Sequence, residues 1–283
     1  MLKNTFLHIP GIGASSERRI WESGILTWED SMRLSLPPLK KTVHIFKERI
    51  EDSLRQLELR RPGYFTDLLP SGERWRLFGE FRKTAVFLDV ETNGYMGPRG
   101  YITAVSLYDG RDVKYYIRGE NLDGFREEIA KHDLIVTYNG RCFDVPFIES
   151  HLGIRMGQAH IDLRYVLRDL GFKGGLKGCE RSLGIERGPL DGLDGYFAVL
   201  LWKDYRRNKN VKALETLLAY NILDVVNLEP LLVAAYNMNI LRTPFSAFAL
   251  PSPALPELPF SPDTDTIRRV LRENSMSLHG VSL

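Results

Sequence analysis

An α/β fold is predicted for this chain by the alternation of two patterns. Short apolar runs of strand length, at residues 84–89 and 134–138, are separated by longer segments whose apolar residues recur at helical spacing. In both runs successive residues are apolar, as expected of strands that are buried on both faces of a sheet. Residues 101–108 and 113–117 predict two further strands, because Asp109-Gly110 between them is typical of a hairpin turn.

Helices are predicted before, between and after these strands. Apolar residues at helical spacing place them at residues 39–59, 122–131, 146–152, 162–170, 211–238 and 263–273. Pro230 is positioned to kink or divide the long helix, and the glycine-rich residues 171–178 predict a flexible loop. We expect four parts: a hairpin-containing helical unit (1–36), a helical connector (37–80), the α/β domain (81–242), and a Pro-rich arm with a short C-terminal helix (243–283). Pro37-Pro38 is expected to break the chain between the first two.

The composition is that of an ordinary globular protein, with 283 residues, a net charge of +2 and two cysteines. A net charge this close to zero identifies no partner. Cys142 and Cys179 cannot form a disulfide framework and lack metal-ligand spacing, which favours a reducing, cytoplasmic location. No signal peptide is recognisable and no run approaches the roughly 20 apolar residues that span a bilayer, so we expect no membrane association.

Asp89 and Glu91 are the first candidates for chemistry. They end a buried strand, and residues two apart on a strand point to the same side. The pair is therefore expected together at the carboxyl edge of the sheet, where α/β folds commonly bind ligands. Two carboxylates this close repel each other unless a cation lies between them, and Mg²⁺ or Mn²⁺ prefers such oxygen ligands. The alternative is that both cap the strand and face water.

Asp144, Tyr220 and Asp224 are further candidates. Asp144 follows the second buried strand after an Asn-Gly turn, and it is equally suited to capping the helix that starts near Pro146. Tyr220 and Asp224 lie four residues apart on a predicted helix and so share one face. A carboxylate among so many apolar residues is expected to be paired or metal-bound, whereas Tyr220 alone is also consistent with a half-buried core aromatic. Asp162 is expected to cap the helix that follows it, and the alternative is a further carboxylate near the site.

Three segments carry a resemblance to a known superfamily. They are Phe-Leu-Asp89-Val-Glu91-Thr, Tyr-Asn-Gly-Arg-Cys-Phe-Asp144-Val-Pro-Phe and Tyr220-Asn-Ile-Leu-Asp224. In this order they resemble the three exonuclease motifs of the DEDD superfamily, and the third has the Tyr-x-x-x-Asp form of the tyrosine subclass. The second is especially similar to its counterpart in the proofreading domains of family B DNA polymerases. As a free-standing chain, the protein resembles predicted ribonuclease-H-like exonucleases.

The resemblance spans about residues 84–241 and implies a ribonuclease-H-like mixed sheet flanked by helices. It also implies a 3'→5' exonuclease with two divalent metal ions, Mg²⁺ or Mn²⁺, of which one activates water and the other stabilises the leaving 3'-oxygen. It assigns Asp89 to both ions, Glu91 and Asp224 to the first, and Asp144 to the second, directly or through water. Tyr220 would orient the attacking water, since a free tyrosine has a pKa of about 10 and is rarely ionised.

Two segments are candidate nucleic-acid contacts. Residues 8–24, with Gly11 and Gly13, look like the hairpin of a helix-hairpin-helix motif, whose backbone N–H groups bind phosphate without reading sequence. A small packing unit is the alternative. Residues 202–212 are basic with interleaved aromatics, a combination typical of single-strand binding or, alternatively, of a solvated surface loop. The candidates outside the hairpin are Lys203, Tyr205, Arg206, Arg207, Lys209 and, in the second motif, Asn139.

The hairpin-like N-terminus favours single-stranded DNA over RNA as the partner. Two other functions stay open. An endonuclease or exoribonuclease of the same fold would use similar carboxylates, although the pairing of Tyr220 with Asp224 favours an exonuclease. A catalytically inactive nucleic-acid-binding subunit is disfavoured, because every expected carboxylate is present.

Overall fold

A mixed five-stranded sheet lies at the centre of the fold. The computed structural model describes residues 1–34 and 43–279. The strands are β1 (Ala85–Thr92), β2 (Ile102–Tyr108), β3 (Val113–Ile117), β4 (Leu134–Thr137) and β5 (Ala159–Asp162). Their order is β3-β2-β1-β4-β5, with antiparallel pairing among β1, β2 and β3 and parallel pairing among β1, β4 and β5. Helices flank this sheet, which confirms the predicted fold class.

Thirteen α-helices accompany the sheet in the described part of the chain. Those before the sheet are α1 (Ala14–Glu22), α2 (Trp28–Arg33), α3 (Val43–Glu58), α4 (Pro62–Leu68) and α5 (Phe78–Phe81). Those between strands are α6 (Phe125–Ile129) and α7 (Asp144–Leu152). Those after β5 are α8 (Leu163–Asp169), α9 (Gly175–Ser182), α10 (Gly195–Asn208), α11 (Val211–Val226), α12 (Leu228–Ile240) and α13 (Thr264–His279). The predicted break at Pro37-Pro38 lies outside the described residues.

The N-terminal unit differs in detail from the predicted hairpin motif. Gly13 is the N-cap of α1, so the helix begins directly after the glycine turn. A single 3-10 turn, Leu2–Asn4, stands where a helix-hairpin-helix motif has its first helix. The assignment of that motif and the four-part division of the chain stay predictions.

The sequence does not predict β5 or α9. β5 has four residues, of which His160 and Asp162 are polar, so it lacks the apolar run of a buried strand. α9 occupies part of the segment predicted to be a flexible loop, and that prediction is wrong for residues 175–178. α10 contains most of the basic stretch, so the solvated-loop alternative is wrong for residues 202–208.

The predicted long helix is divided near Pro230. α11 ends at Val226 and α12 begins at Leu228, which places the proline in the first turn of α12, where its missing N–H breaks no helical hydrogen bond. By length and composition alone, the stretch Val211–Ile240 is suited to crossing a membrane, contrary to the expectation from sequence. However, 83% of the most apolar 18-residue part of this stretch is buried inside the protein, as in a core helix that packs on a sheet.

The Pro-rich segment that follows α12 packs against the domain. The side chain of Asn237 exchanges two hydrogen bonds of 2.8 Å with the backbone of Leu250. Phe260 packs edge-on against Tyr115 of β3, with ring centroids 5.0 Å apart. The segment is therefore a wrapping arm, and it leads into α13, the predicted C-terminal helix.

Candidate active site

Asp89 and Glu91 lie on one side of β1. Asp89 pairs with Ser106 of β2 and Glu91 with Ala104, so both side chains leave the sheet in the same direction. Carboxylate oxygens of Asp89, Glu91 and Asp224 lie within 4.8 Å of one another. Glu91 is only 8% exposed, which excludes the alternative that both carboxylates are water-facing caps.

The loop between β4 and α7 brings Asp144 to the same edge, because β4 runs parallel to β1. Asn139 in this loop has a φ of 66°, and a Cβ on the following Gly140 would lie 2.4 Å from Oγ1 of Thr137. Asp144 is the first residue of α7, but its side chain does not cap that helix. Its Oδ1 accepts a hydrogen bond from the N–H of Val90 (3.1 Å), which ties Asp144 to β1 between the two strand carboxylates.

Asp162 supports this loop. Its Oδ1 accepts hydrogen bonds from the N–H groups of Asn139 (2.7 Å) and Arg164 (3.1 Å), and its Oδ2 accepts one from the N–H of Arg141 (3.1 Å). It is also the N-cap of α8, which confirms the predicted capping role. Both of its oxygens are occupied by backbone donors, so Asp162 is a support for the loop and not a further free carboxylate.

Tyr220 and Asp224 face the strand carboxylates from α11. They lie one helical turn apart, and both are buried. Asn221 also points to this side, since its Nδ2 donates a hydrogen bond to Oδ2 of Asp89 (2.7 Å). α11 therefore contributes one carboxylate and fixes the orientation of another.

Two cations that sequence reasoning missed as site residues reach Asp224. Arg187 forms an ion pair with its Oδ1, and Nζ of Lys177 lies 3.4 Å from its Oδ2 and contacts the hydroxyl of Tyr220. Nη1 of Arg187 also lies 2.8 and 3.0 Å from the two carboxylate oxygens of Glu180. Neither cation belongs to a recognisable motif. The only available signal was the expectation that a buried Asp224 needs a partner.

The electrostatics of the cluster follow from the burial of several like charges. Burial, and then the charges of Asp144 and Asp224, raise the pKa of Asp89 well above its usual range. Burial and the charge of Asp89 do the same for Glu91. Burial raises the pKa of Asp144 to about 7, and burial with the charge of Asp224 raises the pKa of Tyr220. The metal-free cluster therefore retains protons that a bound divalent cation would displace.

These side chains line an open cleft of about 450 Å³. The cleft brings together all five residues predicted to be catalytic, which are Asp89, Glu91, Asp144, Tyr220 and Asp224. Asn139 and Lys177 also line it, and aromatic and apolar side chains complete the wall, namely Tyr138, Phe143, Leu176, Tyr196 and Val199. The arrangement is a carboxylate-lined floor beside a surface suited to flat or apolar groups.

Most of the predicted nucleic-acid contacts lie outside this lining, as far as the described residues go. Gly11 has a φ of 83° and Gly13 precedes α1 in the N-terminal unit. Lys203 and Arg207 line a separate surface hollow on α10, which Glu273 of α13 also borders.

The other residues of the basic stretch make local contacts. The guanidinium of Arg206 lies 5.8 Å from the ring centroid of Trp202. The hydroxyl of Tyr205 lies 3.4 Å from Oε1 of Glu120. Lys209 ends α10 in the left-handed conformation. The structure therefore places most of this stretch on α10, outside the set of residues that line the cleft.

Comparisons with known proteins relate the fold to a family. The family model RNase_H_2, described as the RNase_H superfamily, matches residues 86–236, which is more than half of the chain. The family B DNA polymerase from the hyperthermophilic archaeon Pyrobaculum calidifontis is similar in structure, with 18% sequence identity and a TM-score of 0.41. That match covers 56% of this chain and 24% of the polymerase chain, so the present chain spans about a quarter of the polymerase's length. No curated protein matches. The chain belongs to the RNase_H superfamily, and its carboxylate-lined cleft lies in a ribonuclease-H-like nuclease fold.

Proposed function

We propose that this protein is a metal-dependent 3'→5' exonuclease that hydrolyses the phosphodiester bonds of single-stranded nucleic acid, DNA rather than RNA. The observation that carries the proposal is the convergence of Asp89, Glu91 and Asp224 within 4.8 Å of one another, from β1 and α11. Asp144 and Tyr220 line the same open cleft, so residues of all three sequence motifs meet at one place.

The donor set fits divalent cations. The four acidic side chains offer carboxylate oxygens, the ligands that Mg²⁺ and Mn²⁺ prefer. Burial and mutual repulsion raise the pKa of Asp89 and Glu91. A cation between the two carboxylates would offset their repulsion. We assign Asp89 to two ions, Glu91 and Asp224 to the first, and Asp144 to the second, directly or through water. When bound, such ions supply an activated water and stabilise the leaving 3'-oxygen.

The neighbouring side chains position these groups. Asn221 holds one oxygen of Asp89 through its 2.7 Å hydrogen bond. A tyrosine hydroxyl is rarely ionised near neutral pH, so we assign Tyr220 the orientation of water through hydrogen bonding rather than the role of a base. Lys177 contacts this hydroxyl and thereby restricts its direction. Orientation of the reacting groups is the main contribution we assign to these neutral and cationic residues.

Two features support the finer parts of the proposal. The Tyr220-Asn-Ile-Leu-Asp224 motif resembles that of proofreading exonucleases, which supports removal of nucleotides from the 3' end. The turn at residues 9–13, ahead of α1, resembles a DNA-binding hairpin, which supports DNA as the substrate and Gly11 and Gly13 as phosphate contacts.

A degradation assay on single-stranded oligonucleotides tests the proposal. DNA and RNA labelled at the 5' end are incubated with the full chain in EDTA, Mg²⁺ or Mn²⁺. We expect a ladder that shortens stepwise from the 3' end of DNA in either metal and no cleavage in EDTA. Asp89→Asn and Asp224→Asn should be inert. Asp123→Asn, which removes an exposed carboxylate before α6, is the matched control and should retain full activity.

The outcomes separate the rival functions. Internal cuts that give mixed products would indicate an endonuclease, and faster degradation of RNA would indicate an exoribonuclease. Binding in EDTA without turnover in either metal would indicate an inactive binding subunit. Undiminished cleavage by Asp224→Asn would contradict the assignment of the active site.

A further inference from the structure

The first turn of α10 forms one wall of the cleft. Gly195, Tyr196 and Val199 line it together with the carboxylates. Tyr196 is 59% exposed, which is unusual for a large side chain beside a buried acidic cluster, whereas Val199 is buried. The exposed phenol ring therefore offers an aromatic surface beside the cleft. Such faces stack on nucleobases with little regard to base identity.

Beyond Tyr196, the outer face of α10 is cationic. Lys203, Arg206 and Arg207 are exposed. Each residue of a helix is rotated by about 100° from the one before it, so Lys203 and Arg207 lie within about 20° of Tyr196 around the helix axis. Arg206 lies within about 80°. Nζ of Lys203 lies 5.7 Å from the Tyr196 ring centroid, which links the aromatic end of this face to its basic end. Within the described part of the chain, none of the three cations forms an ion pair.

The acidic residue of α10 does not offset this charge. Asp204 is 7% exposed, and its carboxylate accepts hydrogen bonds from Asn208 (2.6 Å), Asn210 (2.8 Å) and Arg269 of α13. Its charge is thus neutralised inside the structure. The outer face of α10 presents one aromatic ring and three positive charges to the solvent, in line with the cleft.

We infer that this face, defined by Tyr196, Lys203, Arg206 and Arg207, binds the single strand upstream of its reacting end. Tyr196 stacks on a base next to the reacting phosphodiester, and the three cations contact phosphates further along. This inference rests on the proposed function, because the cleft must hold the end of the strand. We assign the base-stacking role to Tyr196 and not to Tyr205, because Tyr205 is half-buried beside Trp202.

The length of the face gives a site size. Tyr196 and Arg207 are eleven residues apart, which is about 16 Å along a helix. At the 3.4 Å rise of a stacked strand, this distance spans about five nucleotides. A dinucleotide bound in the cleft would touch Tyr196 but could not reach Arg207, whereas a strand of ten nucleotides would reach all four residues.

Binding and cleavage measured separately test the inference. Affinity for a fluorescent ten-nucleotide single strand is measured by anisotropy with full-length Asp89→Asn, which should bind without cutting. We expect Lys203→Gln with Arg207→Gln to weaken binding and to reduce the slope of log K against log salt by about 1.4, or about 0.7 per lost phosphate contact. Tyr196→Ala should bind on the order of tenfold more weakly, and Tyr196→Phe should bind normally because it keeps the stacking face.

Lys83→Gln with Arg111→Gln is the matched control. It removes the same charge from two exposed residues at the opposite end of β1, where they border another surface hollow. Its affinity and salt slope should equal those of the parent. With otherwise wild-type protein, the Lys203 and Arg207 substitutions should raise KM for the ten-nucleotide strand by a larger factor than KM for a dinucleotide.

The results distinguish this inference from the proposed function. Equal weakening by both double variants, or none by the α10 variant, would overturn the inference even if the wild type degrades DNA. If the wild type cuts nothing but the α10 variants still lose binding selectively, the proposed exonuclease fails and the binding surface stands. Absence of single-strand binding by the parent would overturn the surface directly.

Discussion

Replacing Asp89 by asparagine should stabilise the metal-free protein at pH 8 while abolishing cleavage. The carboxylate oxygens of Asp89, Glu91 and Asp224 lie within 4.8 Å of one another, and an effective dielectric constant of about 20 gives a repulsion of about 3.5 kcal/mol for one ionised pair at that distance. The charge of Lys177 offsets part of this repulsion at Asp89. Asparagine removes one charge and keeps an oxygen that can accept the hydrogen bond from Asn221.

We expect a net gain of roughly 2 kcal/mol in the free energy of unfolding, which corresponds to roughly 4 °C in Tm for a chain of this size. The sign follows from protonation. Because the pKa values of Asp89, Glu91 and Asp144 are raised, with that of Asp144 at about 7, the folded protein holds protons that the unfolded chain has released above about pH 4. Metal-free wild type should therefore lose stability as pH rises from about 4 to above 7, and Asp89→Asn should lose less.

Calorimetry in EDTA at pH 5.5 and 8, repeated with Mn²⁺, measures these effects. Mn²⁺ should raise the Tm of the wild type at pH 8 and have little effect on Asp89→Asn. Asp204→Asn is a control of opposite sign, because Arg269, Asn208 and Asn210 stabilise the Asp204 carboxylate and lower its pKa. That variant should have a lower Tm and keep its response to Mn²⁺.

A lower Tm for Asp89→Asn in EDTA at pH 8 would refute this reasoning. So would a wild-type Tm that does not respond to Mn²⁺, since it would mean that these carboxylates need no cation between them.

Three further substitutions test the surrounding residues. Arg187→Met removes the ion pair of the buried Glu180 and one of the two ion pairs of Asp224, so urea denaturation in EDTA should show a loss of about 3 to 5 kcal/mol in the free energy of unfolding. Tyr220→Phe keeps the ring and removes the hydroxyl; kcat should fall on the order of a hundredfold, while the Mn²⁺ concentration giving half-maximal rate stays unchanged. Gly140→Ala places a Cβ 2.4 Å from Oγ1 of Thr137, and thermal denaturation should show a loss of about 1 to 3 kcal/mol together with reduced activity, because the loop before Asp144 must shift.

The carboxylates could be predicted from sequence because local rules place them. Side chains alternate between the two faces of a strand, so Asp89 and Glu91 lie on the same side of β1. Residues four apart share one face of a helix, so Tyr220 and Asp224 lie together on α11. These rules do not depend on the remainder of the fold. The parallel pairing of β1 and β4, which completes the site with Asp144, does not follow from these rules, and the resemblance implied only a mixed sheet.

The supporting elements could not be predicted in the same way. α9 begins at Gly175 after its N-cap Gly174, these two glycines have φ values of 69° and 87°, and the buried Cys179 lies on the inner side of the helix. Because short helices of this kind gain their stability from tertiary packing, local sequence alone favours a loop there. Lys177 reaches the cleft only because that helix forms. Arg187 likewise joins the site through its ion pair with Asp224, which lies 37 positions away in the sequence.

The charges of the cluster are not balanced evenly, and this determines where a metal is needed most. Asp224 has Arg187 on one oxygen and Lys177 3.4 Å from the other, so the protein itself neutralises much of its charge. Among the described residues, no cation forms an ion pair with Asp89 or Glu91. The repulsion between Asp89 and Glu91 is therefore the least compensated by cations of the protein, and the free energy gained by bringing in a divalent cation is greatest there. Metal affinity should consequently depend more on the strand pair than on Asp224, even though the proposed reaction uses all three.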